Sequence, residues 1–300
     1  MRVFLTGATG FVGSHIIPEL LGAGHQVLGM TRSDAGAETL AAAGVEPYRA
    51  NLDDPDSLRA GAQSADAVIH CAADHDFANF MAMIEKEGRA VRALGEALSG
   101  SGKPFVVTSG SGFGSPGPGQ MATEDVFDAA NPNPRIISET ASAKFLEHNV
   151  KVIIVRLPQV HDTRRQGLVS PLIEIARAQG RVAYLGDGAN RWAAAPVKAV
   201  AQLYRLALEQ GQAGERFNAV QEEGVAARDI AEALGAGLKL PVVSLTPDEV
   251  GAYFGPFAMF ASLDMPASSA WTRQRLGWDP KGPGLIEDLR NMDYGAVAAH

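Results

Sequence analysis

An octapeptide near the start, Thr6-Gly7-Ala8-Thr9-Gly10-Phe11-Val12-Gly13, constrains this chain more than any other stretch. It follows Arg2-Val3-Phe4-Leu5 directly and runs into the apolar-periodic Ser14-His15-Ile16-Ile17-Pro18-Glu19-Leu20-Leu21, so it reads as strand, glycine turn and helix. Gly7 permits the sharp turn, Gly10 brings bare backbone within reach of a diphosphate, and Gly13 lets the helix lie close to the strand. The unpaired N–H groups and positive dipole end of that helix would face the phosphates. A glycine trio alone also fits a plain β-turn-α unit, so the segments behind it decide.

Those segments keep the alternation. Gly22 and Gly24 stop the helix, and His25 to Thr31 predicts a second strand. At the end of such a strand an acidic residue binds a ribose diol, whereas an Arg accommodates a 2′-phosphate. Thr31, Arg32 and Ser33 hold this corner, with Asp34 beyond them as the expected cap of a helix reaching Ala43. The pattern favours NADP over NAD, the alternative being that Arg32 is a solvated surface charge. Val45 to Arg49 predicts a third strand, Asn51-Leu52-Asp53 a loop, and Pro55 the first turn of a helix. Asp66 to Ala73 reads as a buried fourth strand, Ala78 to Ser99 as a helix and Pro104 to Ser109 as a fifth strand. His70, Asp74 and His75 match no standard ligand spacing, so no metal is expected.

From Gly110 to Pro134 the chain is rich in glycine and proline. It leaves the carboxyl end of a strand, where sheets of this kind bind ligands, which favours a substrate loop. A helix is expected from Arg135 through Leu146 and a sixth strand from Lys151 to Leu157. Past Pro158 the rhythm weakens into helices near 168–179, 197–209, 225–234 and 268–276, one more from Asp248, and strands near 181–185, 215–220 and 241–245. The expectation is an α/β chain: a Rossmann doubly wound parallel sheet with a smaller C-terminal α/β lobe. Residues 1–168 plus about 193–221 would form the nucleotide-binding domain, and about 169–192 plus 222–300 the substrate lobe.

Composition narrows the partners. With 46% hydrophobic residues among 300, the chain can bury a large core. A net charge of −8 with no long basic run speaks against a nucleic-acid surface. Cys71 is the single cysteine and cannot form an internal disulfide. No apolar run approaches the roughly 18 residues of a membrane span, and the short strand behind Arg2 is no signal-peptide core. A soluble, cytoplasmic protein with a small-molecule substrate is expected.

Taken together, Thr6 to Gly13, His70-Cys71-Ala72-Ala73, Thr108-Ser109, Val155-Arg156-Leu157-Pro158 and Gly186-Asp187-Gly188 resemble the extended and atypical branches of the short-chain dehydrogenase/reductase superfamily, the group labelled NAD-dependent epimerase/dehydratase. The resemblance spans nearly the whole chain. It implies a Rossmann domain with a substrate lobe and NADP or NAD as cofactor. The cofactor would meet Thr6, Gly7, Thr9, Gly10, Phe11, Val12 and Gly13, then Thr31, Arg32 and Ser33, then Asn51 and Leu52, Cys71, Ala72 and Ala73, and finally Leu157 and Pro158. It also implies a catalytic Ser, matched by Ser109, and a Tyr four residues before a Lys. None of Tyr48, Tyr184, Tyr204, Tyr253 and Tyr294 has Lys four residues on; Arg135 and Glu139 stand where the pair should fall, with Ser138 between them.

Arg135 cannot act as a general acid, because a guanidinium keeps its proton at neutral pH. It can stabilise an oxyanion with the Ser109 hydroxyl, each donor contributing roughly 3 kcal/mol in comparable sites. Glu139 would accept hydrogen bonds from ribose hydroxyls, unless the two residues form an i, i+4 salt bridge. The last proton would come from water, Tyr184 or His161. Arg156, a charge at a strand end, calls for a structural partner. Arg164 and Arg165 fit an anionic substrate or a solvated loop. Phe113, His161, Tyr184 and Phe254 are the candidate substrate contacts, the aromatic run Tyr253 to Phe260 being either a pocket wall or a lobe core. The helices near 78–99 and 136–148 are ones the family uses for homodimers. Three functions follow: an NADP-dependent oxidoreductase acting on a carbonyl or alcohol, a non-catalytic NADP-binding sensor, or a nucleotide-sugar epimerase or dehydratase.

Overall fold

A computed structural model describes residues 1–74 and 79–295. In chain order its elements are β1 (Arg2–Thr6), α1 (Phe11–Gly22), β2 (Gln26–Thr31), α2 (Asp34–Ala42), β3 (Glu46–Arg49), α3 (Pro55–Gln63), β4 (Ala67–His70), α4 (Phe80–Leu98), β5 (Pro104–Gly110), α5 (Ile137–Ala143), β6 (Lys151–Leu157) and β7 (Gln159–His161). There follow α6 (Val169–Gln179), β8 (Val182–Leu185), β9 (Arg191–Pro196), α7 (Val197–Gln210), β10 (Arg216–Asn218), β11 (Glu222–Ala226), α8 (Ala227–Leu238), β12 (Val242–Leu245), α9 (Pro247–Phe254), α10 (Ala258–Ala261), α11 (Ala270–Leu276) and α12 (Leu285–Arg290). The expected loop residues His75 to Phe77 and the expected helix start at Ala78 lie outside the described residues.

Seven strands form one parallel sheet in the order β3-β2-β1-β4-β5-β6-β10. The chain winds outward from β1 to β3 and then returns to β4 on the other side of β1. That reversal opens a crevice at the carboxyl ends of β1 and β4. The central strands are apolar on both faces because helices cover both. One face buries Val3, Leu5, Val155 and Phe217 with Ile16 and Leu20 of α1 and Tyr204 of α7. The other buries Phe4, Val68, Phe105 and Val107 with Leu58 of α3, Val91 and Leu94 of α4 and Phe145. A second core gathers Trp192, Ile173, Leu234, Tyr253, Phe254 and Leu289. Two small sheets accompany it, β11-β9-β7 and a parallel β12-β8 pair.

Several expectations are corrected. Ser33, not Asp34, caps α2: its hydroxyl accepts the Gly36 N–H at 3.1 Å, while Asp34 pairs with Arg49. The expected helix from Arg135 through Leu146 is broken into a 3₁₀ turn over Pro134–Ile136, the seven residues of α5, and a second 3₁₀ turn over Lys144–His148. The strands β7, β9 and β11 and the helix α12 were not foreseen. Leu276 and Trp278, expected in the lobe, pack into the core beneath α1 and α7, where the Trp278 indole donates to the Ala199 carbonyl at 3.0 Å.

The glycine- and proline-rich stretch is tied down along its second half. Ala122 bridges to Ala267, the Thr123 N–H reaches the Gly114 carbonyl at 2.9 Å, and the buried Glu124 carboxylate accepts the Thr272 hydroxyl at 2.6 Å and the Thr272 N–H at 3.0 Å. Ser111–Gly114, just past β5, is a 3₁₀ turn.

Candidate functional site

The crevice at the switch of strand order is built by close backbone approach. Gly7 has φ +68°, and a Cβ there would stand 2.7 Å from the Ala72 nitrogen, so the turn after β1 seats against the chain leaving β4. A Cβ on Gly13 would lie 2.1 Å from the Gly7 carbonyl oxygen, which only a bare α-carbon avoids. Gly10 occupies the N-cap of α1 with extended backbone, no side chain caps the helix, and no acidic residue stands in its first turn. The orphan donors of α1 therefore remain available at the crevice, an arrangement suited to a diphosphate.

Around this turn the expected cofactor residues divide by what their side chains already do. Thr6 is fully buried, and its hydroxyl bonds His70 Nδ1 at 2.8 Å and the Ala72 N–H at 3.2 Å. It holds the ends of β1 and β4 together. Cys71 turns its sulfur onto the Thr6 carbonyl at 3.0 Å, and burial pushes the thiol up to about 12. Phe11, Val12 and Leu157 pack against the α1 side of the core, and Pro158 is buried beside them. Thr9 and Arg32 are exposed, and Arg32 makes no ion pair among the described residues. Thr31 is buried beneath the corner and Ser33 is engaged as a cap. Asn51 is exposed, with Leu52 buried behind it and Ala72 and Ala73 half-buried. The cradle thus fits a nicotinamide dinucleotide laid across the crevice: bare backbone at the diphosphate, an exposed cation at the β2 corner, and small residues after β4.

Of the three expected catalytic residues, Glu139 is drawn into an ion cluster of the core. Glu139 is fully buried under the sheet, where its carboxylate receives Arg156 Nε at 2.8 Å, Arg156 Nη2 at 2.9 Å and Arg216 Nε at 3.0 Å. Both oxygens are engaged by guanidinium groups and the side chain is fully buried, so the carboxylate is committed to the core where a ribose contact was expected. Arg156, also fully buried, finds here the partner its position called for, and it reaches onward to the carbonyls of Thr123 at 3.1 Å and Val126 at 2.9 Å. The guanidinium of Arg216 lies over the Phe127 ring, 4.1 Å from its centroid. Arg135 forms no bond with Glu139. It stands half-buried at the start of α5, beside a different carboxylate, Glu87 of α4.

Glu87 went unnoticed in the sequence. It falls on the stripe Ile84, Glu87, Val91, Leu94, Leu98, the buried face of α4, so a charged residue at helical spacing among apolar ones was the available signal. The Ser138 hydroxyl donates to it at 2.9 Å, and His70 Nε2 lies 3.5 Å away. Burial alone would raise its carboxyl pKa. The charges of His70 and Arg135 and the Ser138 hydrogen bond outweigh burial and hold it below the usual carboxylate range. Thr6 and His70 are thus hydrogen-bonded to each other, as are Ser138 and Glu87, while His70 Nε2, 3.5 Å from Glu87, has no hydrogen-bond partner among the described residues.

Ser109 sits at the carboxyl end of β5, opposite Arg156 in register, and its buried hydroxyl has no partner among the described residues. An orphaned donor at that edge fits a group awaiting a ligand. Phe113 lies just beyond, its ring next to Gly110. The remaining substrate candidates are elsewhere. His161 is fully buried, with Nδ1 2.7 Å from Asp288 of α12. Tyr184 and Phe254 line a cavity of about 20 Å³ inside the lobe with Leu172, Trp192 and Ile230, room for a water rather than a substrate. Arg164 and Arg165 are exposed on a turn whose backbone N–H groups both bond Asp162, each at 2.6 Å. Among the described residues no three His, Cys, Asp or Glu side chains group as metal ligands, and no helix is long and apolar enough to cross a membrane.

Comparison with known proteins agrees with this geometry. The model of the NAD dependent epimerase/dehydratase family matches residues 3–219. An uncharacterized protein of Schizosaccharomyces pombe is 40% identical over 295 residues, covering 98% of this chain and 100% of its own. A sterol-4-alpha-carboxylate 3-dehydrogenase, decarboxylating, of Dictyostelium discoideum is 27% identical over 244 residues, covering 75% of this chain and 72% of its own. Among solved structures, the UDP-glucose 4-epimerase of Thermus thermophilus in complex with NAD superposes with a TM-score of 0.74 at 23% identity, over 99% of this chain and 98% of the other.

Proposed function

The chain belongs to the NAD-dependent epimerase/dehydratase family, and from that premise we propose that it is an NADP-dependent reductase acting on a carbonyl of a small organic molecule. The observation that carries this reading is the uncapped turn of α1 at the β1/β4 crevice, with the exposed Arg32 at the β2 corner and the orphaned Ser109 hydroxyl at the β5 edge. Arg32 and the neighbouring Thr31–Ser33 corner carry a 2′-phosphate, and the glycine turn carries the diphosphate. A dinucleotide bound there supplies the hydride.

The chain's own groups act on the oxygen that becomes negative. Ser109 donates its hydroxyl, and Arg135, whose charge is felt at Glu87, contributes a fixed positive charge. Neither gives up a proton to the product at neutral pH: a guanidinium keeps its own, and a serine hydroxyl is a weak acid. Water entering past Phe113 is the proton source. The relative named as a sterol dehydrogenase supports oxidoreductase chemistry in this lineage. One observation favours a second reading, a non-catalytic dinucleotide sensor: Glu139 is consumed in the core ion cluster instead of meeting the cofactor. The nucleotide-sugar reading rests on fold likeness to proteins such as the UDP-glucose epimerase.

Titration of the purified protein with NADPH and NADH, followed by incubation with aldehydes and ketones, separates these readings. The reductase reading expects NADPH to bind at least tenfold more tightly than NADH, Arg32→Ala to erase the difference, and the absorbance of the reduced nicotinamide to fall with some carbonyl. Equal affinities overturn the NADP assignment. Tight binding with no turnover across the panel, and none altered by Arg135→Ala, favours the sensor.

A further inference from the structure

Lys86 lies on α4, two helical turns from its start, and its ammonium meets two carboxylates that belong to different loops. Its Nζ is 2.9 Å from Asp74 Oδ2, in the segment leaving β4, and 3.2 Å from Asp53 Oδ2, in the segment leaving β3. These carboxylates raise the ammonium's pKa, the Asp74 hydrogen bond first and the Asp53 bond second. Asp53 follows Asn51 and Leu52 directly, and its N–H is fixed on the Asn51 side-chain oxygen at 3.2 Å. Asp74 follows Ala72 and Ala73. On the proposed reading of the nucleotide site, those neighbours are the two walls of the adenosine half.

We propose that Lys86 is a clasp that joins the two walls of the adenosine pocket, a positioning residue for the nucleotide that touches the pocket only through Asp53 and Asp74. Without the ammonium, two carboxylates would face each other across the pocket rim, a like-charge pair that pushes the loops apart. They would also flank a ligand that itself carries several negative charges. The lysine cancels both effects at once. Because all three groups remain partly in water, each leg is worth no more than an exposed ion pair, and the two together set binding by a factor of about three to ten. The inference rests on the adenosine half lying between these loops, and it is separable from any catalytic role, since Lys86 pairs with Asp53 and Asp74 and the 2′,5′-ADP probe carries no nicotinamide.

Isothermal titration of the whole chain with NADPH and with 2′,5′-ADP tests it. Lys86→Met should weaken both ligands by the same three- to tenfold factor, because the fragment contains the half that the clasp encloses. Lys86→Arg, which keeps the charge and the reach, should restore affinity to within twofold of the parent. In an Asp53→Asn, Asp74→Asn background, adding Lys86→Met should change little, since no carboxylates remain to be joined. Unchanged 2′,5′-ADP affinity in Lys86→Met overturns the clasp, as does an equal loss with and without the two aspartates. If the parent binds neither NADPH nor 2′,5′-ADP, the nucleotide reading itself falls and the clasp with it; if the parent binds both and the variants match it, the clasp alone falls.

Discussion

Replacing Glu139 by Gln keeps the shape of the side chain and removes its charge, and the structure sets what that costs. Glu139 and Arg156 are both fully buried, joined by two bonds of 2.8 and 2.9 Å, and Arg216 adds a third at 3.0 Å. Gln keeps one acceptor oxygen for two guanidinium groups and turns an N–H₂ toward them. Arg156 is then a buried cation that has lost its bidentate carboxylate and keeps the Thr123 and Val126 carbonyls with at most one amide oxygen. Breaking a buried ion pair from one side typically costs about 3–5 kcal/mol, a large share of a domain's roughly 5–15 kcal/mol. For a chain of this size that is a fall in Tm of about 5–8 °C. Glu139→Lys, which installs the residue that the family resemblance expects, places a third cation in the cluster and should melt lower still or fail to fold. Pairing it with Arg135→Tyr should therefore not yield a more active protein. The assay is thermal unfolding followed by far-UV circular dichroism, with urea midpoints as a second measure. A Glu139→Gln protein melting within about 2 °C of the parent would refute the reasoning, because a drop that small corresponds to less than roughly 1 kcal/mol.

Three further outcomes follow from the same geometry. Gly13→Ala drives a methyl into the Gly7 carbonyl, so α1 must lift off the turn; a stability loss of about 1–3 kcal/mol and loss of NADPH binding should appear together in melting and titration experiments. The Glu87 carboxyl has a lowered pKa in the folded state, so its stabilisation is complete above the unfolded value of about 4.3 and is lost as pH falls through the folded value. Glu87→Gln should accordingly flatten the acid limb of the stability profile below about pH 4, and an unchanged limb in urea titrations counts against the network. Cys71, held near 12 by burial, should resist a thiol reagent at about pH 8 in the native protein and react at once after unfolding; prompt labelling of the folded chain contradicts the placement of its sulfur.

What the sequence disclosed follows physical range. The glycine turn and the seven-strand sheet were legible because strand, turn and helix signals act within a few residues, and Gly7 and Gly13 fit because their crowding is local to the turn. The cap of α2 was misplaced by one residue because Ser33 and Asp34 are both good caps and only the backbone decides between them. The strand over Arg191–Pro196 was missed because three consecutive alanines carry no strand signal, and its pairing with β7 and β11 is tertiary. The role of Glu139 was hidden for the same reason: its partners lie 17 and 77 residues along the chain, and a helical spacing to Arg135 looked like the nearer match. Aromatic character, which points to Phe254, and a phenol proton, which points to Tyr184, do not distinguish a lobe interior from a binding wall.

The indole of Trp278 packs in the hydrophobic layer that α1 and α7 share, although nearly the whole chain separates it from the glycine turn at the head of α1. During synthesis, the ribosome releases that turn long before it releases the indole. The hydrophobic layer that Trp278 shares with α1 and α7 is thus completed only when the far end of the chain has emerged, so its final packing is a late event.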